Sequence, residues 1–414
     1  MNNSFLIGAA SSGCGKTTFT MGLLRALRDR GFHVQPFKSG PDYIDPLFHH
    51  LASGQESVNL DTVMSSHAHV QDLFHHYGDS ADACIIEAAM GLFDGADGPR
   101  GSAAEIAQLL DVPVILLVSA KAVAYSVAPL IYGFRHFNPA LRIAGVVFNF
   151  VASQRQLSTL LRACEDVGVP CLGHLPRHPE LQIPSRHLGL TLEEHERTER
   201  LIRLAAKEVE EHVDMERIVK GFKDHVSGFK IQDSGFKGSL SICVARDAAF
   251  NFTYRANIDA LRHLGTVTFI SPLQETALPP CDFLYLPGGY PELFAAELAA
   301  NTTMRESIRH FAEAGGRILA ECGGFMYLCR DIDGQFMCNV LPYTATMNHA
   351  HLHLGYRETR LNGITLRGHE FHYSSTIPEA PFPFIRHKNV LAGYTHWYWA
   401  ENPMTLSKLF STII

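Results

Sequence analysis

Ile7-Gly8-Ala9-Ala10-Ser11-Ser12-Gly13-Cys14-Gly15-Lys16-Thr17-Thr18 follows an apolar run, Phe5-Leu6-Ile7, and opens an amphipathic stretch from Phe19 to Leu27. A strand, a loop of small residues and a helix are the setting a phosphate-binding loop requires. Small residues let backbone N–H groups close around phosphate oxygens, and the helix N-terminus adds positive potential. On this reading Ser12, Gly13, Gly15, Lys16, Thr17 and Thr18 bind a nucleoside triphosphate. Lys16 reaches the β- and γ-phosphates and the Thr17 hydroxyl holds Mg²⁺. The first glycine of the usual G-x-x-x-x-G-K-T pattern is here Ala10. The bland alternative is a Gly/Ser-rich turn in front of an ordinary helix.

Around this loop, short apolar runs alternate with helical patterns up to about residue 220. The expected strands are Phe5–Ala9, Val34–Lys38, Ala83–Ala88, Val114–Ser119, Ile143–Asn149 and Cys171–His174, with helices such as Ala103–Leu110 and Gln156–Val167 between them. Buried strands separated by helices imply a parallel sheet covered on both faces. Leu192 to Val219 is charged, amphipathic and helical in pattern. Lys220 to Gly238, rich in Gly, Lys and Asp, is expected to be a linker. The expected division is therefore a domain over 1–219, a linker over 220–238 and a second α/β domain over 239–414. In the latter, strands are expected at Ser239–Ala245, Val267–Ser271, Phe283–Pro287 and Arg317–Glu321, with helices at Tyr254–Leu264 and Met304–Ala314. The tail from Thr344 to Tyr398, rich in β-formers, aromatics and His, is expected to extend this sheet with antiparallel strands.

The bulk numbers agree with two domains: 414 residues exceed one typical core. A net charge of −7 argues against a nucleic-acid binder driven by phosphate contacts. Nine cysteines without a C-x-x-C pair read as reduced thiols of a cytoplasmic protein. No basic region precedes the first apolar stretch, so no signal peptide is read. No run reaches the ~20 apolar residues of a membrane span.

Mg-ATP chemistry needs carboxylates near the phosphates. Asp42 and Asp45, in Lys38-Ser39-Gly40-Pro41-Asp42-Tyr43-Ile44-Asp45, follow one strand; Glu87 ends another and Asp94 lies just beyond it. In an open parallel sheet the C-terminal strand ends face the ligand.

Further on, Leu319-Ala320-Glu321-Cys322-Gly323-Gly324-Phe325 puts a cysteine at a strand-to-helix elbow, where a helix N-terminus is expected to lower the thiol pKa. The N–H after it, with one from the turn Leu286-Pro287-Gly288-Gly289-Tyr290, could form an oxyanion hole. His396 is the candidate base for acyl transfer. A lone buried cysteine would otherwise read as a small hydrophobe.

The phosphate loop, K-S-G-P-D-Y-I-D-P, E-A-A-M-G-L-F-D-G, L-P-G-G-Y-P-E, E-C-G-G-F-M-Y-L and G-H-E-F-H-Y-S, in this order over nearly the whole chain, resemble the signatures of the cobyrinate a,c-diamide synthase family. The resemblance implies a P-loop, dethiobiotin-synthetase-like parallel-sheet domain followed by a class I glutamine amidotransferase-like α/β domain. It implies ATP and glutamine as co-substrates and a corrin-type tetrapyrrole polycarboxylate, amidated at the a and c acetates through acyl phosphates. Cys322 would be the nucleophile and His396 its base. Gly288, Gly289 and Gly323 would serve the glutamine and its oxyanion. Thr17, Asp45 and Glu87 would hold Mg²⁺, and Asp42 and Asp94 would line the transfer site. Such glutaminases often carry Glu two residues after the His, where this chain has Tyr398. Relatives acting on hydrogenobyrinate or nickel sirohydrochlorin share the motifs. A partitioning-type P-loop ATPase is the rival from another class; it would lack the cysteine elbow. No nucleic acid or membrane is implied, and a homodimer is left open.

Among the remaining histidines, His369-Glu370-Phe371-His372 has the wrong spacing for a helical H-E-x-x-H zinc site. His349, His351 and His353 alternate as on one strand face. His49-His50 and His75-His76 read as helix-end or surface residues. Trp397 and Trp399 are expected in the pocket wall beside His396.

Overall fold

The protein is described by a computed structural model over residues 3–181, 192–220, 238–348, 350–361, 363–402, 405 and 408. It divides into two compact units, Met1–Gln232 and Asp233–Ile414. His349 and most of the expected linker (221–237) lie outside the described residues.

The first unit runs β1 (Asn3–Ala9), α1 (Lys16–Asp29), β2 (Val34–Ser39), α2 (Asp45–Ser53), β3 (Val58–Leu60), α3 (His67–Gly78), β4 (Ala83–Glu87), α4 (Ala103–Leu109), β5 (Val114–Ser119), α5 (Val127–Phe137), β6 (Ile143–Val151), α6 (Gln154–Val167), β7 (Cys171–Pro176), α7 (Leu192–His212) and α8 (Met215–Lys220). Its seven strands are ordered β3-β2-β4-β1-β5-β6-β7 and every pair is parallel. The strands are apolar almost throughout because helices cover both faces. The short β3 is not visible in the sequence as a hydrophobic run, since three residues carry no period. Phe19, Leu23, Leu24 and Leu27 of α1 pack with Ile7, Ile85 and Ile115 of the sheet and with Ile202, Ala205 and Val209 of α7. At the α1–α7 crossing a Cβ on Gly22 would lie 2.7 Å from the Ala205 carbonyl oxygen, so only glycine fits. Arg25 and Glu199 join these helices through two hydrogen bonds of 2.7 and 2.9 Å.

The order places β2, β4 and β1 side by side, so the loops leaving their C-terminal ends converge. Lys38 and Glu87 are register partners on β2 and β4, and Glu87 is also the partner of Ile7 on β1.

The second unit begins β8 (Leu240–Ala245), α9 (Arg255–Leu264), β9 (Gly265–Ile270), β10 (Phe283–Leu286), α10 (Ala295–Ala300), α11 (Thr302–Glu313), β11 (Arg317–Glu321) and α12 (Gly323–Leu328). Short strands follow: β12 (Asp331–Ile332), β13 (Gln335–Phe336), β14 (Thr344–Thr346), β15 (His353–Leu361), β16 (Ile364–His372), β17 (Ser375–Ile377), β18 (Ile385–His387), β19 (Val390–Gly393) and β20 (His396–Tyr398). The main sheet is ordered β18-β19-β11-β10-β8-β9. The expectation that the tail extends this sheet with antiparallel strands needs correction. Only β18 joins it antiparallel; β19 runs parallel to β11. The rest of the tail forms two separate sheets, β13-β12-β14-β17 and β15-β16-β20. The long β15–β16 hairpin sets its own register and gives β20 an edge to pair with.

Candidate active sites

In the first unit Gly15 caps α1 at φ 91°, and a Cβ there would stand 1.9 Å from the Asn149 Nδ2. That position therefore demands glycine twice, for its backbone angle and for its space. Asn149 donates to the Cys14 carbonyl at 2.8 Å and anchors the loop from β6. Gly13 is likewise left-handed, at φ 76°. Lys16 folds along the loop, donating to the Ser11 carbonyl (3.3 Å) and to that of Met90, a residue in the turn after β4. Burial lowers its pKa, and nearby Lys38 lowers it further.

The Thr17 hydroxyl lies 3.1 Å from Asp45 Oδ1 and 3.0 Å from Glu87 Oε1. Three expected metal-site residues are thus in mutual contact. Lys38, to which the sequence pattern assigns no role, is buried between the same carboxylates. Its Nζ bonds Asp45 and lies 3.1 Å from Glu87 Oε1 and 3.7 Å from Asp42 Oδ2. Burial disfavours its charge, but Asp45, Glu87 and Asp42 outweigh burial and raise its pKa. Burial pushes Glu87 up; Lys38 and His49 reverse that and hold it well below the usual carboxylate range. Burial, then Asp42 and Glu87, push Asp45 up.

Asp42 caps the start of α2, with Oδ1 accepting from the amides of Ile44 (2.8 Å) and Asp45 (3.1 Å). Asp94 closes the turn after β4 by accepting from the Gly91 amide at 2.9 Å. Both have capping work to do, whatever else they contact.

The reading of His49 as a helix-end or surface residue is corrected. It is fully buried, with Nε2 2.7 Å from Glu87 Oε2 and Nδ1 3.1 Å from the Ser57 hydroxyl. The missed signal is its place four residues after Asp45, which puts both on one face of α2. His50 is exposed, as expected.

An oxygen-rich pair of carboxylates beside a hydroxyl fits Mg²⁺, which takes one or two carboxylates and leaves its other positions to phosphate and water. Among the described residues no three His, Cys, Asp or Glu form a closed metal cage, at the His369–His372 stretch or elsewhere.

In the second unit β10 and β11 are paired, so the turns that follow them are neighbours. Cys322 sits at φ 48°, ψ −107°, a conformation sparsely used by residues with a Cβ and costing about 1–3 kcal/mol. It is held by its amide donating to the Gly393 carbonyl (2.8 Å) and its carbonyl accepting from Met326 (3.0 Å). A Cβ on Gly323 would lie 2.9 Å from the Gly289 nitrogen; one on Gly288 would lie 2.2 Å from His396 Cε1. The Pro-Gly-Gly turn therefore touches both the elbow after Cys322 and the His396 ring. Asn251 and Phe252 fix the turn through amides donating to the Gly288 carbonyl (3.1 and 3.0 Å).

The expected lowering of the Cys322 pKa is not what the site produces. A hydrogen bond from the Gly323 amide pulls it down, but burial and then Glu292 push it well above an ordinary thiol. Burial lowers His396 to about 3, with His369 and His372 adding to the effect. Burial thus works against charge on both residues, against the thiolate of Cys322 and the imidazolium of His396.

Tyr398 occupies the place of the usual third acid and packs against Tyr254 at 5.5 Å between centroids. Two acids of this region are buried: Glu370, which accepts from the Thr395 hydroxyl (2.6 Å), and Glu321, beside Cys322 in sequence. Glu321 accepts from the Tyr285 hydroxyl (2.8 Å) and the Trp397 amide (3.1 Å), the latter immediately after His396. Burial lifts it to about 8, against both of those hydrogen bonds. Asn257 on α9 holds the same strand, donating to the Trp397 carbonyl and accepting from the Trp399 and Ala400 amides. Trp397 and Trp399 belong to the core with Phe283 and Tyr285, one residue out of phase with His396, rather than to a pocket wall around it. His369 is the register partner of His396, and His372 stacks between His353 (4.5 Å) and Tyr394 (3.8 Å).

Residues 5–190 match the CobQ/CobB/MinD/ParA nucleotide binding domain, and residues 241–404 match the CobB/CobQ-like glutamine amidotransferase domain. Fold and sites together define a glutamine-dependent amide-forming enzyme with a P-loop nucleotide-binding domain. The chain is 39% identical to a cobyrinate a,c-diamide synthase of Listeria monocytogenes over 99% of both chains. It is 39% identical to one from Picrophilus torridus over 97% of this chain and 96% of that one. A hydrogenobyrinate a,c-diamide synthase of Mycobacterium bovis is 40% identical, with the same coverage. The chain belongs to the cobyrinate a,c-diamide synthase family. Among the described residues no helix is long and apolar enough to cross a membrane.

Proposed function

We propose that this protein uses ATP and glutamine to convert the a and c acetate carboxylates of a corrin, cobyrinate in the first instance, into amides. Residues 1–219 are the synthetase domain, 220–238 the linker and 239–414 the glutaminase, working in the cytoplasm. One observation carries the reading. A single chain holds a phosphate loop whose threonine meets two buried carboxylates, and a cysteine on a strained elbow beside a Gly-Gly turn that touches a histidine.

In the second unit, His396 takes the Cys322 proton as sulfur attacks the glutamine side-chain carbonyl. Neutral thiol and neutral imidazole are the right starting forms for that transfer. The amides of Gly289 and Gly323 receive the oxyanion, and Gly288 leaves room for the His396 ring. The C–N bond breaks, ammonia leaves, and water releases glutamate from the thioester. In the first unit, Ser12, Gly13, Gly15, Lys16 and Thr18 bind the ATP phosphates. Thr17, Asp45 and Glu87 would hold Mg²⁺, whose charge offsets that of the phosphates. The γ-phosphoryl passes to a substrate carboxylate, giving ADP and an acyl phosphate; ammonia displaces phosphate and leaves the amide. Asp42 and Asp94 face this transfer.

Mass spectrometry after incubation with ATP, glutamine and either cobyrinate or hydrogenobyrinate tests the proposal. Two successive carboxylate-to-amide mass changes are expected on cobyrinate. The Mycobacterium bovis relative's name makes the metal-free macrocycle the second substrate to try. No change on either removes the proposal.

A further inference from the structure

We propose that His49 is a positioning residue for the metal-binding carboxylate Glu87, and that Ser57 in turn fixes His49. The inference rests on the reading of Glu87 as a Mg²⁺ ligand and goes one layer behind it.

The two oxygens of Glu87 have different duties. Oε1 faces Thr17 (3.0 Å) and Lys38 (3.1 Å). Oε2 faces His49 Nε2 at 2.7 Å. Glu87 is fully buried, so water offers Oε2 no substitute. An ionised carboxylate only accepts, so Nε2 carries the hydrogen. With Nε2 as donor to the carboxylate, Nδ1 on the other side of the ring faces the Ser57 hydroxyl, 3.1 Å away. Ser57–His49–Glu87 is thus a continuous chain of hydrogen bonds ending on the outer oxygen of the carboxylate.

The placement follows from α2. Asp45 opens the helix and His49 is one turn on, so one short element carries a carboxylate on the Thr17 hydroxyl and the anchor of the opposing carboxylate. Lys38 pulls on Asp45 and Glu87 together. Without His49 the outer oxygen Oε2 loses its hydrogen-bond donor, and the pull of Lys38 on the carboxylate is opposed less. Groups behind a metal ligand are typically worth 10–100-fold in metal affinity.

The test titrates a non-hydrolysable ATP analogue into the full chain by calorimetry, at graded Mg²⁺ and in EDTA. His49→Leu keeps the volume and removes both nitrogens. It should raise the Mg²⁺ concentration for half-maximal binding about tenfold and leave affinity in EDTA within about twofold of the parent. His49→Gln, whose amide nitrogen can take the place of Nε2, should recover most of the loss. Exposed His50→Ala should change nothing. Unaltered Mg²⁺ dependence in His49→Leu overturns the proposal, as does equal loss with and without the metal. Should His49→Leu fail to fold, Ser57→Ala decides: about a threefold weaker Mg²⁺ response supports the chain of bonds, and an unchanged response overturns it. Glu87→Gln separates the layers. If it leaves Mg²⁺ dependence intact, the metal role of Glu87 falls. If it weakens Mg²⁺ while His49→Leu does not, only the role of His49 falls.

Discussion

The two units are both α/β folds with their sites at the C-terminal ends of parallel strands, yet they treat charge in opposite ways. In the first, a buried ammonium (Lys38) and a buried carboxylate (Glu87) keep their charges by holding each other, with His49 behind. In the second, burial opposes charge: it pushes the Cys322 thiol up and lowers His396 to about 3. A site that receives a polyanion with its metal needs its charges preset, since organising them at the moment of reaction would cost free energy. A site that makes a nucleophile on demand keeps the thiol inert until glutamine arrives. Glu321 follows the second pattern. Burial raises its pKa, and it acts through the Tyr285 hydroxyl and the backbone of β20 rather than through an ion pair.

Replacing Cys322 with Ser separates the units most sharply. Glutamine-supported amidation should fall by at least about a thousandfold, while amidation from added ammonia remains near the parent rate. Loss of both in a folded, ATP-binding variant would deny that the thiol serves only glutamine.

A smaller effect is expected from Glu321→Gln. Loosening the strand that carries His396 should lower glutamine-supported kcat by about ten- to a hundredfold and leave ammonia-supported turnover alone. It should also change how stability depends on pH. A carboxyl at about 8 in the folded chain, against about 4.3 unfolded, binds more protons folded than unfolded between those values. By linkage, its contribution to stability falls as pH rises through that window. Buried His396, lowered to about 3, works in the opposite sense below about pH 6.5, so the signed change is what matters: between pH 5 and pH 8 the urea midpoint should fall less, or rise more, in Glu321→Gln than in the parent, and an unchanged signed difference would remove Glu321 as a source of the slope.

The mildest probe needs no mutation. Because the Cys322 pKa is raised, its alkylation by iodoacetamide without glutamine should keep accelerating above pH 9, followed by peptide mass spectrometry. A plateau reached below pH 7 would mean a preformed thiolate and erase the contrast between the units.

Much of this is legible in the chain. Gly15-Lys16-Thr17 and Glu321-Cys322-Gly323-Gly324 are local motifs, and a local motif needs only the backbone it sits on. The roles of His49, Lys38 and Glu321 are not legible because their partners are distant in sequence. His49 meets Glu87 only because β4 lies beside β2, a neighbour relation that sheet order sets and local pattern does not. Glu321 meets Trp397 only after the chain has built the β15–β16 hairpin on which β20 forms. The thiol pKa departs from expectation for a related reason. The helix N-terminus can be read from the sequence, whereas the burial that outweighs it is a property of the whole unit.

On the function proposed above, nitrogen stripped from glutamine by Cys322 ends on a corrin carboxylate activated by ATP. Incubation with cobyrinate, ATP and glutamine labelled with ¹⁵N at the side-chain amide, in unlabelled ammonium buffer, tests it directly by product mass. The expected product is a diamide carrying two ¹⁵N atoms, formed only with ATP, and an unlabelled diamide from Cys322→Ser. Label appearing in the product of Cys322→Ser, or amidation without ATP, would contradict it.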